Sequence, residues 1–208
     1  MDITSFVLSI TFFLGITLGL FLLFTKSGEQ NNNKLLGVIL LAILCYIIPS
    51  FFGSFGVLDQ IPHIIGIRLV VNLAIGPLVY IYVKKCTQKG YMVTPKTGLY
   101  FIPYLISLIY SIPFLTSSGE YKFASYLSIV NTGDMGEPYW IPLLRCFINI
   151  VFFFLSLRAI ILYKKHIINE ASNIDVRYHQ WLMFFSSSLW LPTIAITLFS
   201  FGKYNVFF

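Results

Sequence analysis

The sequence predicts an all-α protein, a polytopic membrane bundle of six transmembrane helices, and two observations support this fold class. The 208 residues are 57% hydrophobic and only 11% charged, whereas soluble domains carry roughly 25% charged residues. The apolar residues also fall into runs of about 20, the length that an α-helix needs to cross a bilayer. We therefore expect one integral membrane domain spanning residues 1–208. The six predicted helices are 4–24, 35–57, 61–83, 98–116, 138–163 and 181–201.

The first two runs carry features of retained, packed helices. Asp2 is the only early charge, so the first run lacks the basic start of a cleavable signal peptide. Gly15 and Gly19 form a G-x-x-x-G motif, which favours close helix packing and leaves a homodimer as the lesser alternative. In the second run, Pro49 is expected to produce a kink.

The third run places polar residues on one helix face. Arg68, Asn72, Gly76 and Tyr80 recur every four residues and so form one slowly winding stripe. Because charge is costly in a membrane helix, we expect this stripe to face protein or a wet cavity. Gly76 and Pro77 interrupt the helical hydrogen bonds, which predicts a kink and makes them hinge candidates. A static kink for packing is the alternative to a moving hinge.

The fourth and fifth runs carry the other candidate site residues. In the fifth, Arg145 is followed four residues later by Asn149, as Arg68 is followed by Asn72. Both arginines are predicted at a depth of about 10 Å, where their guanidinium groups could bind a carboxylate or phosphate. The alternative is a structural role, in which acidic loop residues or lipid headgroups neutralise them. A second polar stripe in the fourth run consists of Tyr100, Tyr104, Ser107 and Ser111.

The basic residues predict that the N-terminus lies outside the cytoplasm. In this orientation the inner loops carry nine lysines and arginines and the outer segments carry two. Cytoplasmic loops hold the basic excess in membrane proteins, so we expect a multi-pass protein of a bacterial inner membrane. The net charge of +6 then reflects loops beside anionic lipid, so the bilayer is the expected partner and nucleic acid is not. Residues 117–137 are predicted as an outer loop.

No pattern in the sequence predicts catalysis. The H-E-x-x-H, G-x-S-x-G, P-loop and G-x-G-x-x-G motifs do not occur, so we expect no enzyme and no cofactor. The three cysteines are scattered and the three histidines show no i, i+4 pair, so no metal site is expected.

Several segments together resemble the membrane part of a bacterial regulator family. These are the segments beginning at Phe12 (FFLGITLGLFLLFTK), Asn33 (NKLLGVILLA), Gly76 (GPLVYIYV), Phe101 (FIPY) and Tyr178 (YHQWL). They are similar to the membrane-bound AraC-type transcriptional regulators of Bacteroidetes. The resemblance implies about seven helices followed by a cytoplasmic helix-turn-helix domain. This chain ends where a seventh helix would start and contains no helix-turn-helix.

We therefore expect the membrane sensor part of a signalling regulator, which detects an anionic or envelope-derived ligand through its inward polar stripes. The alternative is a small transporter for an anionic solute that uses the same arginines. The predicted ligand-binding residues are Arg68, Asn72, Arg145, Asn149, Tyr100, Tyr104 and Ser107, and the predicted hinge residues are Gly76 and Pro77.

Overall fold

A computed structural model describes residues 3–26, 30–88, 90–132, 138, 140–170, 180–188 and 190 of the chain. Within these ranges the regular structure is entirely helical, which confirms the all-α fold class. Five helical segments in the described part of the chain are long and apolar enough to cross a membrane. They are Ser5–Phe24, Asn31–Ser54, Pro62–Thr87, Pro95–Thr116 and Trp140–Lys164.

The sixth predicted helix, 181–201, lies largely outside the described residues. Residues 180–188 and 190 are helical, and the remainder of that prediction has no described counterpart. The six helices with named bounds are α1 (Ile3–Phe24), α2 (Gln30–Ser54), α3 (Ile67–Thr87), α4 (Ile102–Thr116), α5 (Gly119–Thr132) and α6 (Trp140–Glu170). Two 3-10 helices, Pro62–Gly66 and Pro95–Phe101, precede α3 and α4.

The chain divides into two compact units. The first consists of Met1–Leu78 and Leu99–Gly136, and the second consists of Val79–Gly98 and Glu137–Phe208. The division within α3 follows Leu78, directly after the predicted hinge residue Pro77.

In the first unit, α1 and α2 form a closely packed hairpin through their glycines. A Cβ atom on Gly37 would lie 2.9 Å from the carbonyl oxygen of Gly19. A Cβ on Gly15 would lie 2.7 Å from Leu44 Cδ2. Backbones approach this closely only where one side lacks a side chain, so the G-x-x-x-G motif serves α1–α2 packing. Ser5 Oγ adds a hydrogen bond of 3.1 Å to the Ser54 carbonyl.

Helix α5 lies within the segment that we predicted to be a loop, so that prediction was wrong for residues 119–132. The hydroxyl of Ser118 accepts the Tyr121 N–H at 3.3 Å and caps the helix, and Glu120 lies in its first turn. No proline interrupts α5. In this helix Lys122 and Tyr126 face inward, and the polar residues of the segment made its helical pattern hard to recognise in the sequence. The helix packs on the 3-10 helix Pro62–Gly66.

Several predicted boundaries also differ from the structure, among them those of α2 and α6, and the differences in α3 and α4 have identifiable causes. Helix α3 continues to Thr87, four residues beyond its predicted end, because Lys84 and Lys85 fit the last turn of a helix. Helix α4 begins at Ile102, because Pro103 favours the first turn of a helix. Tyr100 therefore belongs to the preceding 3-10 helix.

In the second unit, α6 has one buried face formed by residues three or four positions apart. This spacing is that of an α-helical stripe, and it places Arg145 and Asn149 on the same face of α6 as Phe152 and Ser156. Around it lie the buried end of α3 and the helical residues 180–188 and 190, connected by ring contacts such as Tyr80 with Phe152. The buried residues of α6 are Ile141, Arg145, Asn149, Phe152, Ser156 and Ile160.

Candidate functional site

The structure holds the guanidinium group of Arg68 with two neutral side chains of α2. Nη2 of Arg68 donates a hydrogen bond to Ser50 Oγ at 2.6 Å. The Cζ atom lies 5.2 Å from the centre of the Tyr46 ring, within the range of a cation–π interaction. Arg68 is half-buried, but its Nε is fully buried and has no hydrogen-bond partner in the structure.

Neither described acidic residue of the neighbouring segments neutralises Arg68. Asp59 and Glu120 form no ion pair with it among the described residues. Two further acids of the segment 117–137, Asp134 and Glu137, lie outside the described residues. Arg68 is therefore a positive charge held by a hydroxyl and an aromatic ring, with one donor still available.

The other predicted residues of the first unit differ in burial and in position. Asn72 is half-buried one turn beyond Arg68, whereas Gly76 and Pro77 are buried within α3. The position of Tyr100 before α4 breaks the predicted stripe at its first member. The remaining members, Tyr104 and Ser107, are half-buried, and the Ser107 carbonyl accepts a hydrogen bond from Ser111 Oγ at 2.8 Å.

Arg145 and Asn149 lie in the second unit, so their surroundings are described there, separately from those of Arg68. Arg145 is 9% exposed and Asn149 is 7% exposed, both on the buried face of α6. Arg158, thirteen residues further along the same helix, is exposed. The burial of Arg145 thus follows from its helix face.

A second charged group lies at the junction of α5 with the 3-10 helix Pro62–Gly66, and sequence reasoning did not identify it. The side chain of Lys122 is only 2% exposed. Its Nζ lies 2.9 Å from His63 Nδ1 and donates to the Leu115 carbonyl at 2.8 Å. No described carboxylate pairs with it. Lys122 is an isolated lysine in a polar segment, so the sequence did not indicate that its side chain is buried.

Both partners of Lys122 are acceptors in this arrangement. An ammonium group has only donors, so Nδ1 of His63 can take part in this hydrogen bond only as an acceptor, in the tautomer that carries the ring proton on Nε2. The Leu115 carbonyl lies in the last turn of α4, where carbonyl oxygens lack helical partners and the helix dipole favours a cation. These acceptors explain how a lysine can be buried here.

A cleft of about 640 Å³ lies beside the His63–Lys122 pair. It contains two carboxylates, Asp59 and Glu120, and the aromatic ring of Phe123. Three or more potential metal ligands are not grouped together anywhere in the described part of the chain. The complete set of lining residues is Asp59, Gln60, Pro62, His63, Ser118, Gly119, Glu120 and Phe123.

No protein-family model, curated protein or solved structure matches this chain. The resemblance to membrane-bound AraC-type regulators therefore stays a prediction. What the structure itself contributes is five described helices that are long and apolar enough to cross a membrane.

Proposed function

We propose that this protein is the membrane sensor part of a bacterial signalling regulator and that Arg68 recognises an anionic group. The observation that carries the proposal is the partly satisfied guanidinium of Arg68, described above. Its described partners, Ser50 and Tyr46, orient the group without cancelling its charge. A ligand bearing a carboxylate or phosphate would supply the missing countercharge.

Electrostatics favours a bound anion over an empty site. An ionised group within a membrane helix is costly unless it is paired, and a buried donor without a partner costs about 1–3 kcal/mol. An oxygen anion would accept from Nε and a terminal nitrogen together, in the fork geometry that arginine offers. In this proposal the helical bundle has two arrangements, and the ligand binds more tightly to the one in which Nε of Arg68 is exposed. Signalling follows from that difference in affinity.

We further propose six spans in an inner membrane, with the N-terminus and the segment 117–137 outside. The distribution of lysine and arginine supports this orientation. A reporter fused after Lys89 should then be active in the cytoplasm, and one fused within 120–137 should be active in the periplasm. The reverse pattern would contradict the proposed orientation and an envelope ligand with it.

The anion site can be tested by ligand-induced stabilisation of the purified protein in lipid nanodiscs. Small carboxylates and organic phosphates should raise the melting temperature of the wild type, because binding to the folded state stabilises it. Arg68→Gln should lose this shift, whereas Arg158→Gln, a matched change of an exposed arginine, should keep it. Equal shifts in wild type and Arg68→Gln would return Arg68 to a structural role.

Flux measurements separate a sensor from a small transporter. The same anions should bind to the protein in proteoliposomes without being carried across the membrane. Saturable flux that disappears in Arg68→Gln would instead support the transporter.

A further inference from the structure

We propose that His63 and Lys122 form an acid-sensitive latch, which holds α5 on the 3-10 helix Pro62–Gly66 at neutral pH and releases it when His63 is protonated. The inference goes beyond the anion site, because it would hold even if Arg68 bound no ligand. It rests on the geometry of one hydrogen bond across 59 positions of sequence.

The closed latch depends on neutral His63. Nδ1 can accept the hydrogen bond from Lys122 only while it carries no proton. Histidine is the side chain that gains or loses a proton between about pH 5 and pH 8, the range an envelope protein encounters. The imidazole is exposed, so protons reach it from solvent, whereas Lys122 is buried.

Protonation turns the same contact from attraction into repulsion. A proton on Nδ1 would remove the acceptor and place two positive charges 2.9 Å apart. Lys122 has no described carboxylate to offset the second charge, and the Leu115 carbonyl is its other described partner. The imidazolium and the ammonium group must therefore separate.

The cleft offers the protonated imidazole of His63 an alternative contact. The charged groups lining it are Asp59, in the segment before the 3-10 helix, and Glu120 of α5. The two other elements that contact this 3-10 helix contribute no charge there, because α4 has no charged residue and the lysine of α2, Lys34, lies near its opposite end. An imidazolium can thus exchange its contact with Lys122 for one with a carboxylate.

Tight packing transmits the change to the backbone of α5. A Cβ atom on Gly119 would lie 2.6 Å from Pro62 Cγ and 3.7 Å from His63 Nε2, so the start of α5 sits directly on the 3-10 helix. This 3-10 helix continues into α3, since the N–H of Ile67 bonds to the Ile64 carbonyl. Movement of His63 would therefore disturb the start of α5 and the start of α3 together.

Hydrogen–deuterium exchange of residues 119–132 tests the latch in the whole chain in nanodiscs. Between about pH 7.5 and about pH 5.5, exchange corrected for its intrinsic pH dependence should rise roughly tenfold or more in the wild type. His63→Gln should abolish the rise, because glutamine can accept the bond from Lys122 but gains no proton. His63→Lys should exchange fast at both pH values.

The controls identify His63 as the responsible group. His179→Gln changes another of the three histidines and should preserve the wild-type response. A response in His63→Gln equal to that of the wild type would overturn the latch, as would the absence of any response in the wild type.

A measurement on the wild-type protein does not depend on whether a variant folds correctly. Nitrogen NMR of histidine-labelled protein should show His63 at neutral pH with its proton on Nε2, the signal being assigned by its loss in His63→Gln. A proton on Nδ1 at neutral pH would overturn the proposal.

Discussion

Arg68 and Ser50 join α3 to α2 through a hydrogen bond of 2.6 Å from Nη2 to Oγ. Ser50 directly follows Pro49, whose missing N–H leaves the Cys45 carbonyl without its usual helical donor. The hydroxyl that accepts from Arg68 therefore lies next to the one position of α2 where proline removes a helical donor. This bond fixes the orientation of the guanidinium, and thereby the direction of its unpaired Nε.

Ser50→Ala should lower the stability of the folded protein by about 1–2 kcal/mol, because a charged donor loses its acceptor. It should also weaken anion binding, since the guanidinium is no longer held in one orientation. Reversible unfolding in lipid measures the first effect and anion-induced melting shifts measure the second. Ser9→Ala is the control, because Ser9 Oγ bonds only to the Ser5 carbonyl of its own helix at 2.7 Å. Equal losses in the two variants would contradict a special role for Ser50.

Gly37→Ala should destabilise the α1–α2 hairpin by about 1–3 kcal/mol, the usual cost of overpacking a close contact. The added methyl group would press against the backbone oxygen of Gly19, which cannot move aside as a flexible side chain could. Gly98→Ala is the matched control, because nothing lies within 4 Å of its Cβ position. The difference between the two melting temperatures measures the effect, and similar values would show that the helices can separate at little cost.

The five helices that are long and apolar enough to cross a membrane were predictable, because long apolar runs mark them in the sequence. The helix α5 was not, since its 14 residues are too few for a membrane span and its most buried side chain is that of Lys122. Tyr126 packs against Gly53 of α2, a contact between residues far apart in sequence. Its stability therefore depends on tertiary contacts that a local pattern does not contain.

The candidate site shows the same division between local and tertiary information. Helical spacing predicted the buried face of α6, including Arg145, because that face is a property of one helix. Spacing could not predict that Arg68 would meet Ser50 and Tyr46, or that Lys122 would meet His63, since each partner lies on another element. The pairing of Arg68 with Arg145 in one site stays a prediction.

Pro77→Ala tests the predicted hinge in α3. The substitution restores an N–H that can bond to the Leu73 carbonyl, so amide exchange in residues 73–81 should slow roughly five- to tenfold. Pro103→Ala is the control, because Pro103 lies in the first turn of α4, where its N–H would have no helical partner. A hinge further requires that Pro77→Ala reduce the response to anions in a reporter strain. Slower exchange with an unchanged response would identify a static kink.

Arg145→Gln distinguishes a structural from a ligand-binding role for the second arginine. Arg145 is buried and already engaged in an interaction, so a structural role predicts a loss of about 2 kcal/mol or more. A ligand role predicts that the free energy of unfolding without anion stays close to that of the wild type. It also predicts a smaller rise in melting temperature when the anion is added. Arg158→Gln, on the exposed face of the same helix, should change stability by no more than about 0.5 kcal/mol.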